Sequence, residues 1–129
     1  MSISPNFSNP VGNKLLAALP QQEYERLLPH LEPVSLSLRQ VLYQPNEQIE
    51  YAYFLSNAVG SLLNLMESGH SIEAATVGNE GMVGVPLLLA TNQSPLQAFI
   101  QIPGDGLRIR ADVFKAEVYW GSPLHTLLS

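Results

Sequence analysis

The residues able to hold a metal or move a proton are few and scattered. His70 and Glu73 stand as H-x-x-E, while His30 and His125 are far away in sequence. A metal site on strands needs clustered ligands, typically H-x-H with a Glu and a further His. That pattern is absent, so no metal is expected and His70, in a Ser68-Gly69-His70 turn, is expected in solvent. Ser61, Ser68 and Ser71 have no His and Asp arrangement beside them, which leaves nucleophilic catalysis without support. There is no cysteine, which excludes disulfides, Cys-based metal sites and a thiol nucleophile. The chemistry points away from an enzyme and from a resident cofactor. Glu80 beside Gly81 reads as a turn residue that accepts from nearby backbone N–H groups.

The charge distribution narrows the partners. The six cations are Lys14, Arg26, Arg39, Arg108, Arg110 and Lys115, so none falls between Arg39 and Arg108. Eleven acids leave a net charge of −5. Nucleic-acid affinity depends on phosphate neutralisation by Lys and Arg, so this chain is a poor DNA binder by itself. Charged residues are 13% of the chain against roughly 25% in ordinary soluble domains, so Ser, Asn, Gln and backbone must supply much of the polar surface. No apolar run approaches the roughly 18 residues of a membrane span. Met1 to Gly12 has neither positive charge nor an apolar stretch, so no signal peptide is read there. A cytoplasmic, membrane-free protein is the expectation.

The elements that must position these residues read as one domain of 129 residues. Residues 1–12 are Ser/Asn/Pro-rich and expected to be a flexible arm. Asn13 is expected to cap a helix over Lys14 to Leu19, and Pro20 to open a second at its first position. Tyr24, Leu27 and Leu28 would form the second helix's apolar face, and Pro29 limits its length. From Glu32 the period becomes two. Val34, Leu36 and Leu38 alternate with Ser35, Ser37 and Arg39 as a half-buried strand.

Further strands are expected over Val41 to Tyr43, Tyr51 to Leu55, Val59 to Met66, Ser71 to Val77, Leu96 to Ile102 and Leu107 to Arg110. Turns at Gln44 to Glu47, Glu67 to His70, Gly78 to Gly81 and Pro103 to Gly106 would connect them. Arg108 and Arg110 would share one solvated strand face. Asp112 is expected to cap a helix around Val113 to Tyr119. Short strands joined by Gly, Pro and Asn turns make a mainly β fold, an antiparallel jelly roll or double-stranded β-helix with short flanking helices at both ends. That roll would occupy residues 13–121. Ser122-Pro123-Leu124 then begins a helix whose stripe is Leu124, Leu127 and Leu128, followed only by Ser129. Residues 122–129 are therefore read as the start of a truncated dimerisation helix.

Several stretches in order resemble the effector domain of the CRP/FNR family of bacterial transcription regulators, a cyclic-nucleotide-binding-type β-roll. Val41-Leu42-Tyr43-Gln44-Pro45-Asn46-Glu47 is similar to the family's strand and turn where "hxxGE" is usual. Tyr53-Phe54-Leu55 is similar to its "YFL" strand. Glu73 to Gly84 resembles a "vGxEGmvG" stretch, and Ile102 to Ile109 the later turn and strand. The resemblance runs from about Asn13 to Ser129. It implies a phosphate-binding cassette in two parts, approximately G-E-L-G and R-S/T-A. The first part falls on Gly81, Met82, Val83 and Gly84, with Met82 at the Glu position. The second falls on Leu96, Gln97 and Ala98, with Leu96 at the Arg position. The glycines and Ala98 shape backbone and are present. The groups that would hold a nucleotide are not. A pocket filled by its own side chains is expected, with an apolar or non-nucleotide ligand as the alternative.

The function implied is an effector-sensing regulatory domain, without catalysis, that does not bind cyclic AMP or cyclic GMP. Its effector is an unknown small molecule or none. The intact protein would be a homodimer that contacts DNA only through a C-terminal domain outside this chain. The alternative is a stand-alone ligand-binding or scaffold β-roll without a DNA-binding partner domain.

Overall fold

The computed structural model describes residues 12–89, 91–119 and 121–128. The expected arm lies outside them, except for Gly12. Two helices come first, α1 (Lys14–Ala17) and α2 (Gln21–Leu27), then a 3-10 turn, Leu28–His30. Eight strands follow: β1 (Glu32–Leu36), β2 (Val41–Tyr43), β3 (Tyr51–Leu55), β4 (Val59–Leu65), β5 (Ser71–Val77), β6 (Met82–Val83), β7 (Gln97–Ile102) and β8 (Gly104–Arg110). A 3-10 helix, Val85–Leu89, sits between β6 and β7. Helices α3 (Ala111–Glu117) and α4 (Pro123–Leu128) close the chain.

The strands form two antiparallel sheets, β1-β8-β3-β6 and β2-β7-β4-β5. The chain passes from the first sheet to the second between β1 and β2, β3 and β4, and β6 and β7. This alternation is the expected jelly roll. The sheets approach each other closely at Gly60, where an added Cβ would lie 3.4 Å from Val83 Cγ2 and 3.6 Å from Leu55 Cδ1. Phe54, Leu55, Val83, Ile100 and Ile109 fill the interior, and Leu16, Leu27, Phe114 and Leu124 bring the helices onto the same core.

Several boundaries differ from the sequence expectation. Pro20 is the N-cap of α2, one residue before its first turn. Strand β1 stops at Leu36 because Ser37 to Gln40 turns on itself. Gln40 N–H donates to Ser37 O, Ser37 N–H to Gln40 Oε1, and Arg39 takes φ +66°. Leu38 is consequently 59% exposed instead of continuing the buried alternation.

Pro103 to Gly106 is not a tight turn before a strand, because β8 already begins at Gly104 and pairs with β1 in the other sheet. Gly104 serves close approach there, since a Cβ would sit 2.7 Å from the Ala58 nitrogen. Helix α3 begins at Ala111 with Arg110 as its N-cap residue, so Asp112 lies inside the first turn instead of capping it. The Asp112 carboxylate is occupied by the Arg110 guanidinium. Nor do the two strand arginines share one environment. Arg110 is mostly exposed, whereas Arg108 is half-buried, bonded to Glu32 at 2.6 Å and lying 4.0 Å above the Tyr51 ring.

Candidate functional site

The first half of the cassette is a largely buried piece of backbone paired with β3 on one side. Gly78 to Gly81 forms the expected turn. Gly81 N–H donates to Gly78 O, and Glu80 folds back so that its carboxylate accepts from Gly78 N–H at 3.2 Å. Glu80 thus has the local turn role read from sequence. Met82 and Val83 then pair with Phe54 and Tyr53 of β3. Met82 is only 3% exposed. Gly84 takes φ +116°, and a Cβ there would lie 3.2 Å from Ala52 Cα, so only glycine passes without strain. Its carbonyl starts the 3-10 helix by accepting from Leu87 N–H.

The second half lies in the opposite sheet. Leu96 is half-buried in the bend before β7, and its N–H donates to Ser94 Oγ at 3.1 Å. Ala98 is buried between Leu62 of β4 and Tyr43 of β2. The one polar side chain of the set, Gln97, donates to Gln44 Oε1 at 2.9 Å. The connecting loop is pinned to the segment after β2, with Asn46 N–H on Ser94 O and Ile49 N–H on Asn92 O, both 2.7 Å. Burial raises the Tyr43 hydroxyl pKa, and its hydrogen bond with Ser94 works against that rise.

None of the cassette residues is itself a cation. Arg26 is bound to Glu23 and Glu117, Arg108 to Glu32, and Arg110 to Asp112. Arg39 lies in the Ser37 to Gln40 turn. None of these ion pairs touches a cassette residue. Gln97 and the backbone are the polar groups of the cassette, and much of that backbone is already paired. No cassette side chain carries a positive charge to meet a buried phosphate.

The other sequence candidates go elsewhere. His70 is exposed, its Nδ1 3.0 Å from Ser68 Oγ. Glu73 accepts from Ser61 Oγ at 2.7 Å and from Thr76 Oγ1 at 2.8 Å. These bonds hold its carboxyl below the usual range. Serine 61 is therefore a buried strand residue satisfied by an acid across the β4–β5 hairpin. The stripe of α4 does not form one exposed row. Leu124 is completely buried in the domain's own core and Leu128 packs partly against it, while Leu127 is 43% exposed.

Sequence reasoning missed the reach of Asn13, which it read as a helix cap alone. Its Oδ1 accepts from Leu15 and Leu16 N–H, as a cap should. Its Nδ2 also donates to Leu55 O at 2.9 Å and to Gly81 O at 3.0 Å. The Asn-before-helix signal predicts the first pair. Nothing local announces the second, because the partners are 42 and 68 residues away.

No family model matches this chain, and no curated protein matches it in sequence. Solved structures do match it in shape. The regulatory domain of Toxoplasma gondii PKA, crystallised with cAMP, superposes with TM-score 0.75 at 14% identity over 91% of this chain, which spans 46% of that one. The N-terminal domain of a transcriptional regulator from Streptomyces coelicolor gives 0.70 at 16% identity, with 93% of this chain and 85% of that one covered. The fold is that of a cyclic-nucleotide-binding domain. The sensor domain of the transcriptional regulator DNR from Pseudomonas aeruginosa shares this cyclic-nucleotide-binding-domain fold with the chain at TM-score 0.69 and 16% identity, over 88% and 77% of the two chains. These three neighbours are regulatory or sensor domains. No helix among the described residues is long and apolar enough to cross a membrane.

Proposed function

We propose that this domain senses an effector for a bacterial transcription regulator of the CRP/FNR type, and that the effector is not cyclic AMP or cyclic GMP. The reading is a cytoplasmic, non-catalytic protein that works as a homodimer and reaches DNA through a separate C-terminal unit. Support for regulation comes from the roll itself and from its likeness to regulator sensor domains. The observation that carries the ligand reading is the pair Met82 and Leu96. Both stand where the resemblance calls for polar groups, and one is buried while the other is half-buried. A buried charge needs a partner. Hydrogen bonds to charged groups contribute about 1.5–3 kcal/mol each, and about 1.4 kcal/mol is tenfold in affinity. Two missing partners therefore weaken a cyclic nucleotide by at least about a hundredfold. An uncharged, mainly apolar ligand faces no such penalty.

Calorimetry with each cyclic nucleotide at millimolar concentration tests this. The expected result is no saturable heat, and a micromolar dissociation constant would overturn the reading. Leu96→Arg is the matched gain-of-function variant, because its half-exposed position can hold a guanidinium. The corresponding Met82→Glu would bury a carboxylate in β6 and is the poorer choice. Leu96→Arg is expected to convert a silent titration into a measurable one.

A further inference from the structure

We infer that Asn13 is a positioning residue that ties the candidate effector cassette to the terminal helix α4, so that the two open together. Asn13 is 2% exposed, and its amide makes four hydrogen bonds. Two go to the first turn of α1. The other two go to Leu55 at the end of β3 and to Gly81, the first cassette residue. The adjacent backbone adds a fifth connection, Lys14 N–H to Asn79 O at 2.7 Å. Helix α1 is thereby joined at its N-terminus to the 79–81 turn. Its other contacts run to the core through Leu15 and Leu16, and to α4, against which it packs. Helix α4 is held in turn by Leu124, completely buried.

A displacement of Gly81 must therefore carry α1 with it or break the part-buried bond from Asn13 to Gly81 O and the bond from Lys14 N–H to Asn79 O. A carbonyl left without a partner away from water costs more than the loss of a bond between exposed groups. Moving α1 disturbs the surface on which α4 rests. Four residues of α1 are too few for a helix that is stable alone, so it behaves as a rigid bracket only while both ends are tied. The functional meaning of this link, transmission of an effector's presence to the helix leaving the domain, rests on the regulatory reading above. The link itself does not.

Amide hydrogen exchange tests it without any ligand. In Asn13→Ser the hydroxyl can still cap α1 but cannot span to Leu55 and Gly81. Exchange at Gly81 and Leu87, and at Thr126 of α4, is expected to rise by a common factor of roughly thirty, the worth of two net hydrogen bonds. Ala111, whose N–H bonds Glu50 O, is expected to stay protected as the core reference. A rise at Gly81 with Thr126 unchanged would overturn the coupling. So would an equal rise at all four amides, because that reports loss of global stability alone. The wild-type protein gives a second arm. Gly81 and Thr126 should exchange there with one opening free energy and one denaturant dependence, and two distinct openings would also refute the link. Nucleotide binding, or its absence, alters none of these outcomes.

Discussion

In the sheet β1-β8-β3-β6, strand β3 buries four of its five residues, whereas in β2-β7-β4-β5 the outer strand β5 buries none of its seven. Both strands are rich in residues that favour sheets, and both pair antiparallel along their length with a neighbour. The difference is what covers them. Helix α3 packs on β3 and β8, so that sheet has core on one side and a helix on the other. Strand β5 has a neighbour on one edge only, and a register shift at Leu62/Leu63 breaks the regularity of its pairing. A bulge on an edge strand also makes that edge a poor template for a second strand. The comparison teaches that the roll is a buried platform at β3 and a solvent-exposed hairpin strand at β5, with the first half of the cassette attached to the platform through β6 and the second half in the opposite sheet.

The sharpest way to break this contrast is truncation in the platform. Phe54→Ala removes a 1% exposed ring from the middle of the core and is expected to cost about 3–5 kcal/mol in urea unfolding. A loss under about 1 kcal/mol would mean that β3 is no more central than β5. Gly84→Ala comes next. The positive φ and the 3.2 Å approach to Ala52 should cost about 1–3 kcal/mol. Chemical denaturation of that variant matching the parent would show that the turn after β6 relaxes freely.

At the hairpin the expected effects are small. Ile72→Thr, at a side chain 57% exposed, should change stability by no more than about 0.5 kcal/mol. A larger loss would reveal packing on β5 that the free domain does not show. The smallest effect concerns Glu73. Its carboxyl titrates lower folded than unfolded because Ser61 and Thr76 donate to it. Its contribution is present above the unfolded value near 4.5 and fades as pH falls through the lowered folded value. Full exposure to solvent screens the effect. Glu73→Gln should slightly lower stability at pH 7, as followed by thermal melts, and the difference from the parent should vanish as pH falls below the lowered folded value.

Much of the roll was legible one segment at a time. Tyr51 to Leu55, Val59 to Met66 and Ser71 to Val77 show strand chemistry bounded by turn residues, and strands form there, the second ending one residue earlier at Leu65. Asn13 reads as a cap and acts as one, and the helix expected to begin at Ser122-Pro123-Leu124 does begin there, with Ser122 Oγ accepting from His125 N–H at 3.4 Å. Where the reading failed, a distant partner had intervened. Leu38 continues an alternating pattern that the Gln40 side chain interrupts. Gly104 looks like a turn glycine, yet it begins a strand because Ala58 and Asn57 crowd it. The short 3-10 helix after Gly84 has too little periodicity to announce itself.

The candidate site divides in the same way. That Met82 and Leu96 are apolar, and that no cation lies between Arg39 and Arg108, is written in the sequence, because residue type alone decides whether a phosphate has a partner. Tertiary structure alone decides that Met82 is buried while Leu96 is half-exposed, and that Leu124 belongs to the domain's own core. It also decides that Asn13 reaches Gly81 across 68 positions. Local sequence carries propensities and capacities for bonding. Burial and long-range hydrogen bonds arise only when the folded chain brings remote segments to within a few ångströms.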